Sequence, residues 1–212
     1  MDSCAIDTFS RRGLRDRIAK RVIDFCGAAF LIVLTTPLLL LIAALVRLLE
    51  GAPVIYRRRV VGVDGEFDAF KFRTMRKDAD RMLQTNPELE QAFRKNFKLK
   101  ADPRVTAFGS FLRTYSLDEL PQLFNVFLGE MSLVGPRMIT RPELQKYGPH
   151  QDLLRTVKPG LTGYWQVHGR QKVSYDERVR MDVEYIRRRT LGMDFRILIM
   201  TPLRVIRGEG AY

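Results

Sequence analysis

A charge-free apolar run, FCGAAFLIVLTTPLLLLIAALV, extends from Phe25 to Val46. At about 1.5 Å per residue, a helix of this length just crosses a hydrocarbon core of about 30 Å. It is not a secretory signal, because no cleavage site of small residues follows it and the chain continues directly. The pattern therefore predicts a membrane segment over residues 20–50, after a short basic lead at residues 1–19.

Two features of this segment favour a helix–break–helix that enters one leaflet and returns, over the alternative of a single spanning helix. Pro37 lacks a backbone donor and clashes with the preceding turn, while the hydroxyls of Thr35 and Thr36 can bond freed carbonyls. Both flanks are basic, and basic flanks tend to remain in the cytoplasm. These cations are Arg11, Arg12, Arg15, Arg17, Lys20 and Arg21 before the run, and Arg47, Arg57, Arg58 and Arg59 after it.

Beyond the apolar run, the pattern changes to one typical of strands. In PVIYRRRVVGVDGEFDAFKFRTM, residues 53–75, two strand-like runs flank the turn sequence VDGE, which predicts a β-hairpin. Residues 76–100 are charged and helix-prone, with an interruption at Asn86-Pro87. Apolar residues then recur at helical spacing from Leu120 to Phe127, and Gly129 is the predicted end of that helix.

Two helices are predicted at the end of the chain, from Tyr175 to Arg189 and from Asp194 to Arg207. The second is basic and amphipathic, so it either lies in a membrane interface or packs as a terminal helix, and periodicity leaves both open. The stretches SLVGPR and KPGLTGYWQVHGR before them are rich in turn residues. The predicted fold is α+β and helix-rich, with a small β-hairpin and one domain over residues 51–212.

Charge narrows the classes of partner. The chain has 212 residues, a net charge of +12 and a pI of about 10.1. Such an excess indicates anionic partners, which are nucleic acid, an anionic membrane surface or phosphorylated small molecules. Two cysteines indicate no disulfide framework, and the two histidines lack neighbours at the spacing of zinc ligands.

The stretch YSLDELPQL places Asp118 and Glu119 side by side among apolar residues. One interpretation is structural: Asp118 as the N-cap of a helix puts Pro121 in the first turn and contributes about 1 kcal/mol. The other is a site, because two carboxylates can hold a magnesium ion that bridges phosphate oxygens, and Arg113 and Arg137 can bind phosphate. An ionised aspartate among arginines can also attack phosphorus. Physical reasoning alone leaves the two interpretations open.

Five motifs together carry a resemblance to a known family. They are KRVID (residues 20–24), KFRTM (71–75), DPRVT (102–106), LRTYSLDELPQLFNVFLGEMSLVGPR (112–137) and KPGLTGYWQVHGR (158–170). In this order they resemble the bacterial sugar transferases, which are monotopic phosphoglycosyl transferases. The resemblance covers nearly the whole chain from Lys20 onward.

The resemblance implies a membrane enzyme with a re-entrant helix broken at a Ser-Pro pair, for which this chain has Thr36-Pro37. It implies transfer of a sugar-1-phosphate from a UDP-sugar to undecaprenyl phosphate or a similar polyprenyl phosphate, with magnesium, at the cytoplasmic face of the bacterial inner membrane. By position, Asp118 resembles the nucleophile, Glu119 its partner, and Arg137 the phosphate-binding arginine. Lys20, Arg21 and Asp24 match the motif at the membrane surface. Other matched positions, expected from their charge to bind substrate, are Lys71, Arg73, Arg104 and Arg113.

Further expectations concern the organisation of the chain, its donor sugar and the rival functions. The chain resembles a minimal member of the family, and a homo-oligomer is possible. The C-terminal GAY resembles members that transfer hexose-1-phosphate, which favours a hexose over an N-acetylated sugar. The rival hypotheses are a non-catalytic membrane adaptor of a glycan-assembly complex and a nucleic-acid binder, but no nucleic-acid-binding module is recognised among the motifs, so no nucleic-acid partner is expected.

Overall fold

The computed structural model describes residues 13–97, 99, 102–169 and 173–206. Within them the chain is helix-rich with two small two-stranded sheets, which confirms the predicted class. The α-helices are α1 (Leu14–Leu49), α2 (Ala79–Gln84), α3 (Pro87–Asn96), α4 (Ala107–Thr114), α5 (Gln122–Leu128), α6 (Arg141–Leu144), α7 (Gln151–Leu154), α8 (Tyr164–His168), α9 (Tyr175–Arg188) and α10 (Leu191–Ile206). The strands are β1 (Ile55–Val61), β2 (Glu66–Phe72), β3 (Ser132–Val134) and β4 (Gly160–Thr162), and 3-10 turns cover Leu117–Glu119 and Gln145–His150. Most of the basic lead (residues 1–12) and the terminal GAY lie outside the described residues.

Helix α1 is the one helix in the described part of the chain that is long and apolar enough to cross a membrane. It continues through Pro37, so the backbone shows one helix where a break between two helices was predicted. The hydroxyls of Thr35 and Thr36 donate to the carbonyl oxygens of Leu31 and Ile32, both at 2.7 Å. Hydroxyl bonds to the preceding turn are typical of bent helices, and here they accompany the proline without ending the helix.

Both halves of α1 pack against the same domain. Before Pro37, Ala28 is buried in the main hydrophobic core. After Pro37, a second apolar cluster forms where α1 meets β2 and α4; its members are Leu39, Ile42, Val46, Phe72 and Leu112. Leu120 contacts both clusters, so the two halves of α1 reach neighbouring parts of one core.

The KRVID motif attaches the start of α1 to the domain. Arg21 donates hydrogen bonds of 2.8 and 2.9 Å to two carbonyl oxygens at the end of α5. Asp24 accepts bonds from the Ser132 hydroxyl at 2.8 Å and from the backbone N–H of Leu133 at 3.0 Å. Lys20 pairs with Asp24 at 2.9 Å. These contacts lie within the protein, and the predicted role of the motif at a membrane surface stays a prediction.

The predicted hairpin is confirmed. Strands β1 and β2 pair antiparallel, and Gly65 in the turn has a φ of 128°, which favours glycine. Asn125 of α5, fully buried, fastens the edge of β2. Its amide accepts from the N–H of Phe70 and donates to the carbonyl of Asp68, both at 2.9 Å. This pairing fixes the position of the next residue, Lys71, relative to α5.

The two turn-rich stretches form a short parallel sheet, which the sequence patterns did not indicate. Strand β3 pairs with β4, and an isolated bridge joins Arg137 to Gly160. A Cβ atom on Gly160 would lie 2.1 Å from the backbone nitrogen of Gly135, so only glycine permits this approach. The sheet therefore sets where the chain after β3, including Arg137, lies.

The two C-terminal helices are confirmed, with shifted bounds. Helix α10 begins at Leu191, earlier than predicted, because the Thr190 hydroxyl accepts a hydrogen bond of 3.1 Å from the N–H of Met193. The helix buries Ile197 in the core and leaves Phe195 65% exposed. It therefore packs on the domain on one face and presents apolar side chains on another, while its place in a membrane interface stays a prediction.

Candidate active site

A cleft of about 2050 Å³ contains the predicted site residues. Asp118 and Glu119 line it, together with the cations Lys71, Arg73, Arg104, Arg113 and Arg137. Its apolar lining includes Ile23, Phe30 and Leu31 of α1 and Phe195, Leu198 and Val205 of α10. The fold thus brings a charged site and an apolar surface into one cavity.

The carboxylate pair lies on the 3-10 turn Leu117–Glu119, not at the start of a helix. Helix α5 begins only at Gln122, after Pro121, so the predicted role of Asp118 as an N-cap is wrong. Ser116, just before the turn, makes no capping bond with its side chain, and its backbone is left-handed with a φ of 54°. The physical reason is electrostatic: both carboxylates face the cations of the cleft, and Glu119 is bound there directly.

Lys71 of β2 is the nearest cation to the pair. Its Nζ lies 2.5 Å from Oε1 of Glu119 and 4.0 Å from Oδ2 of Asp118. Burial lowers the pKa of Lys71, although the charges of both carboxylates oppose this shift. The ammonium group therefore stands in a largely desolvated position where its charge acts strongly on both acids.

Glu119 is the permanently ionised member of the pair. Burial alone would raise its pKa, but the charges of Lys71 and Arg137 outweigh burial and lower the pKa to about 2. Arg137 reaches the same Oε1 with its Nη2 at 3.3 Å. Glu119 thus holds two cations beside the neighbouring aspartate.

Asp118 has a different environment. Its side chain is buried, and none of the hydrogen bonds seen among the described residues goes to its carboxylate. Burial raises the pKa of Asp118, Glu119 adds to this effect, and Lys71 and Arg113 oppose it. A buried carboxylate normally receives hydrogen bonds, so oxygens left free beside a cleft are typical of a functional group.

Arg137 lies on the β3 side of the pair. Its guanidinium carbon is 5.9 Å from the centre of the Trp165 ring, and its side chain remains partly exposed to the cleft. An arginine with free donors beside an ionised glutamate can form two parallel hydrogen bonds to one phosphate group. The geometry agrees with the predicted phosphate-binding role, which stays a prediction.

The other predicted cations differ in how many of their hydrogen-bond donors are already bound within the protein. Arg113 donates from Nε to the Thr74 hydroxyl at 2.9 Å, and burial lowers its pKa. Arg104 forms a two-point ion pair with Asp102, with distances of 2.7 and 2.8 Å. Arg104 therefore has much of its guanidinium group occupied, whereas Arg113 retains further donors and has Asp118 as its strongest acidic neighbour.

Arg73 connects two parts of the fold through its guanidinium group. Its Nη2 donates to the backbone carbonyls of Glu50 and Gly51, at the end of α1. The guanidinium thus attaches the C-terminal end of α1 to β2. Its predicted contact with substrate stays a prediction.

A magnesium ion fits the pair only with help from a substrate. In the described part of the chain, groups of three or more acidic, histidine or cysteine side chains suited to a metal are absent. Mg²⁺ is commonly held by one or two carboxylates plus phosphate oxygens and water, and the free oxygens of Asp118 beside Glu119 meet that requirement. Asp118 and Glu119 are therefore the residues that would hold it.

Sequence reasoning missed several polar residues of the cleft. Arg58 of β1 pairs with Glu143 at 3.0 Å and adds charge near Lys71 and Glu119. Trp165 and Arg178 line the cleft near Arg137. Trp165 lies in the motif KPGLTGYWQVHGR. Arg178 lies on an amphipathic helix, where charged residues normally face solvent, so no sequence signal indicated a role for Arg178.

Comparisons with known proteins identify the family. A family model described as "Bacterial sugar transferase" matches residues 15–208. The chain is 43% identical over 201 residues to an undecaprenyl-phosphate galactose phosphotransferase of Salmonella typhimurium and 44% identical over 201 residues to a UDP-galactose-lipid carrier transferase of Erwinia amylovora. It is 42% identical over 200 residues to the exopolysaccharide production protein ExoY of Sinorhizobium fredii. Each match covers 92% of this chain, which spans 42% of the first two relatives and 88% of the third.

Proposed function

Because this chain belongs to the bacterial sugar transferase family, we propose that it transfers a sugar-1-phosphate from a UDP-sugar to polyprenyl phosphate and releases UMP. The observation that carries the proposal is Asp118, a buried carboxylate without hydrogen bonds from the described residues, at the edge of a cationic cleft. A non-catalytic adaptor has no use for such a group.

We propose a reaction in two displacements. An Asp118 oxygen attacks the sugar-linked phosphorus, the bond from that phosphorus to the oxygen of UMP breaks, and UMP leaves. An oxygen of polyprenyl phosphate then attacks the same phosphorus, the bond to Asp118 breaks, and a polyprenyl diphosphate sugar is formed. A covalent intermediate lets one site serve a water-soluble donor and a membrane-bound acceptor in turn.

The neighbouring charges support both displacements. Lys71 and Arg113 favour ionised Asp118 against the effect of burial. Glu119 holds Lys71 and Arg137 in place, so that Arg137 can bind the phosphoryl group as charge develops on it. Magnesium held by Asp118 and Glu119 would supply further positive charge for the phosphate oxygens.

The two walls of the cleft support a placement of the site at a membrane surface. The apolar side chains of α1 and α10 face the same cavity as the dyad, which suits an acceptor with a phosphate head and a hydrocarbon tail. We propose that α1 is re-entrant and that the domain lies on the cytoplasmic face of the inner membrane. Contacts of α1 with one domain on both sides of Pro37 support this topology.

For the sugar, we propose a hexose. Two of the relatives are named for galactose, and this agrees with the expectation from the C-terminal GAY. UMP release measured with UDP-glucose, UDP-galactose and N-acetylated donors, each with polyprenyl phosphate, tests the choice. Release with N-acetylated donors alone contradicts it.

The decisive experiment on the mechanism is the intact mass of the protein after mixing with donor alone. Wild type is expected to gain one phosphosugar, and Asp118→Asn is expected to gain none while remaining folded. Asp176→Asn, the same change at an exposed position in the first turn of α9, is the matched control and should still gain the phosphosugar. Kinetics that require both substrates bound together, with no adduct on wild type, would refute the covalent mechanism.

A further inference from the structure

Buried polar atoms without a hydrogen-bond partner among the described residues concentrate around one side chain, Arg178 of α9. They include Nε and Nη2 of Arg178 itself, Nε1 of Trp165 and Oε1 of Gln166. All three residues line the cleft. Buried donors and acceptors are rarely left unpaired in a folded protein, so these atoms indicate a polar ligand that belongs between them.

Aromatic rings hold the Arg178 guanidinium in place. Its central carbon lies 5.0 Å from the centre of the Trp165 ring and 4.9 Å from that of Tyr175. Among the described residues, Arg178 forms no ion pair. Asp182 is its strongest carboxylate neighbour; Oδ2 of Asp182 accepts a 2.8 Å bond from the Tyr147 hydroxyl, while its Oδ1 is also unpaired. Arg178 is therefore oriented by the two rings, with donors left over for an anion.

Arg178 and Arg137 are neighbours of the same aromatic ring. Trp165 contacts both guanidinium groups, at 5.9 Å for Arg137 and 5.0 Å for Arg178. Arg137 also contacts Glu119, whereas the strongest electrostatic neighbours of Arg178 are Tyr147, Asp182, Tyr175 and Glu143. Arg137 is therefore the cation in contact with the carboxylate pair, and Arg178 is a second cation that shares the Trp165 ring with it.

An in-line displacement has a role for a second cation beside the one that holds the transferred group. In phosphoryl transfer the attacking and leaving oxygens lie on opposite sides of phosphorus. With Asp118 attacking a phosphoryl group held by Arg137, the leaving group must lie on the side away from Asp118. We propose that Arg178, with Trp165 Nε1 beside it, binds the phosphate that leaves with the nucleotide. This inference rests on the proposed function and adds to it a residue for the leaving group.

The test measures binding of UMP to the full chain in detergent micelles by isothermal titration calorimetry. Arg178→Gln is expected to weaken UMP binding at least about tenfold, since it removes charge-assisted hydrogen bonds. Arg178→Lys should recover part of the affinity, because it restores the charge without the fork. The matched control is Arg180→Gln, an exposed arginine on the same helix, which should leave UMP binding unchanged.

Steady-state kinetics show whether Arg178 binds the phosphate of the nucleotide or that of the lipid. For Arg178→Gln we expect a higher KM for the UDP-sugar and an unchanged KM for polyprenyl phosphate. The reverse pattern, with UMP affinity unchanged, would assign Arg178 to the lipid phosphate and overturn the proposal. Unchanged affinity with a lower thermal midpoint would show a purely structural role and overturn it as well.

The outcomes also distinguish this inference from the proposed function. If UMP binding depends on Arg178 while no phosphosugar is transferred, the binding site stands and the proposed reaction fails. If the wild type forms the adduct and transfers it while UMP affinity is independent of Arg178, the reaction stands and the inference fails. A wild type that does not bind UMP contradicts the inference directly.

Discussion

At the scale of single residues, the protein favours the ionised form of one carboxylate of the site and disfavours that of the other. Glu119 is stabilised as an anion by Lys71 and Arg137, whereas burial disfavours the ionised form of its neighbour Asp118. These opposite pKa shifts agree with the proposed division of roles, in which Glu119 fixes the local cations and Asp118 reacts. Such a reactive group lowers the stability of the fold that holds it.

We therefore predict that Asp118→Asn raises the thermal midpoint at neutral pH while it abolishes turnover. The folded pKa of Asp118 lies above its unfolded value of about 3.9, so the folded state holds the proton more tightly. The destabilisation is absent at low pH, grows as the pH rises from the unfolded pKa to the folded pKa, and is constant above it. Each unit of elevation corresponds to about 1.4 kcal/mol.

The measurement is the thermal midpoint of both proteins in detergent micelles from pH 3.5 to 8. The difference between them should vanish at the acidic end, where wild-type Asp118 is protonated. Asp176→Asn, at an exposed position in the first turn of α9, is the control and should give no such gain. A variant less stable than wild type at pH 7 would show that the aspartate stabilises the fold.

At the scale of elements, the sequence predicted those features of secondary structure that depend on residues close together in the chain. The hairpin was predictable because its turn residues favour that conformation, and the end of α5 because Gly129 adopts a φ of 92°. The carboxylate pair and Arg137 were identified through their motifs. The parallel pairing of β3 with β4 was not predictable, since each strand has three residues and the partners are far apart in the chain.

Asn125 is another long-range feature, and we predict that Asn125→Ala both destabilises the protein and slows turnover. It removes the partners of the partly buried N–H of Phe70 and carbonyl of Asp68, at a cost of about 1 kcal/mol for each. Because Lys71 follows Phe70, loosening this edge of β2 displaces the cation that binds Glu119. The measurements are the thermal midpoint and kcat for UMP release.

Asn86→Ala provides the comparison for that variant. Asn86 caps the exposed start of α3 through a 3.0 Å bond from the N–H of Leu89, so its loss costs about 1 kcal/mol without reaching the cleft. It should leave kcat unchanged. Equal kcat values for the two variants would show that the Asn125 bonds do not position the site.

At the scale of the whole molecule, the attachments of α1 constrain its topology. At one end, Arg21 bonds to the end of α5 and Asp24 to β3. At the other end, Arg73 of the chain after β2 bonds to the carbonyls of Glu50 and Gly51. A helix that crossed the membrane would leave one set of these contacts unmade, with polar groups deprived of their partners.

We therefore predict that both ends of α1 are on the cytoplasmic side. In a background with Cys4 and Cys26 replaced by serine, Leu14→Cys and Leu48→Cys place thiols at exposed positions near the two ends. Neither should react with a membrane-impermeant maleimide in intact cells, and both should react once the membrane is permeabilised. Pro37→Ala removes the obstacle to a straight helix and should make Leu14→Cys reactive from outside in part of the population. Leu38→Ala, a change at the neighbouring position that keeps the proline, should not. Labelling of either end from outside in the protein that retains Pro37 would mean that α1 spans the membrane, and that its contacts with the domain are not all made there.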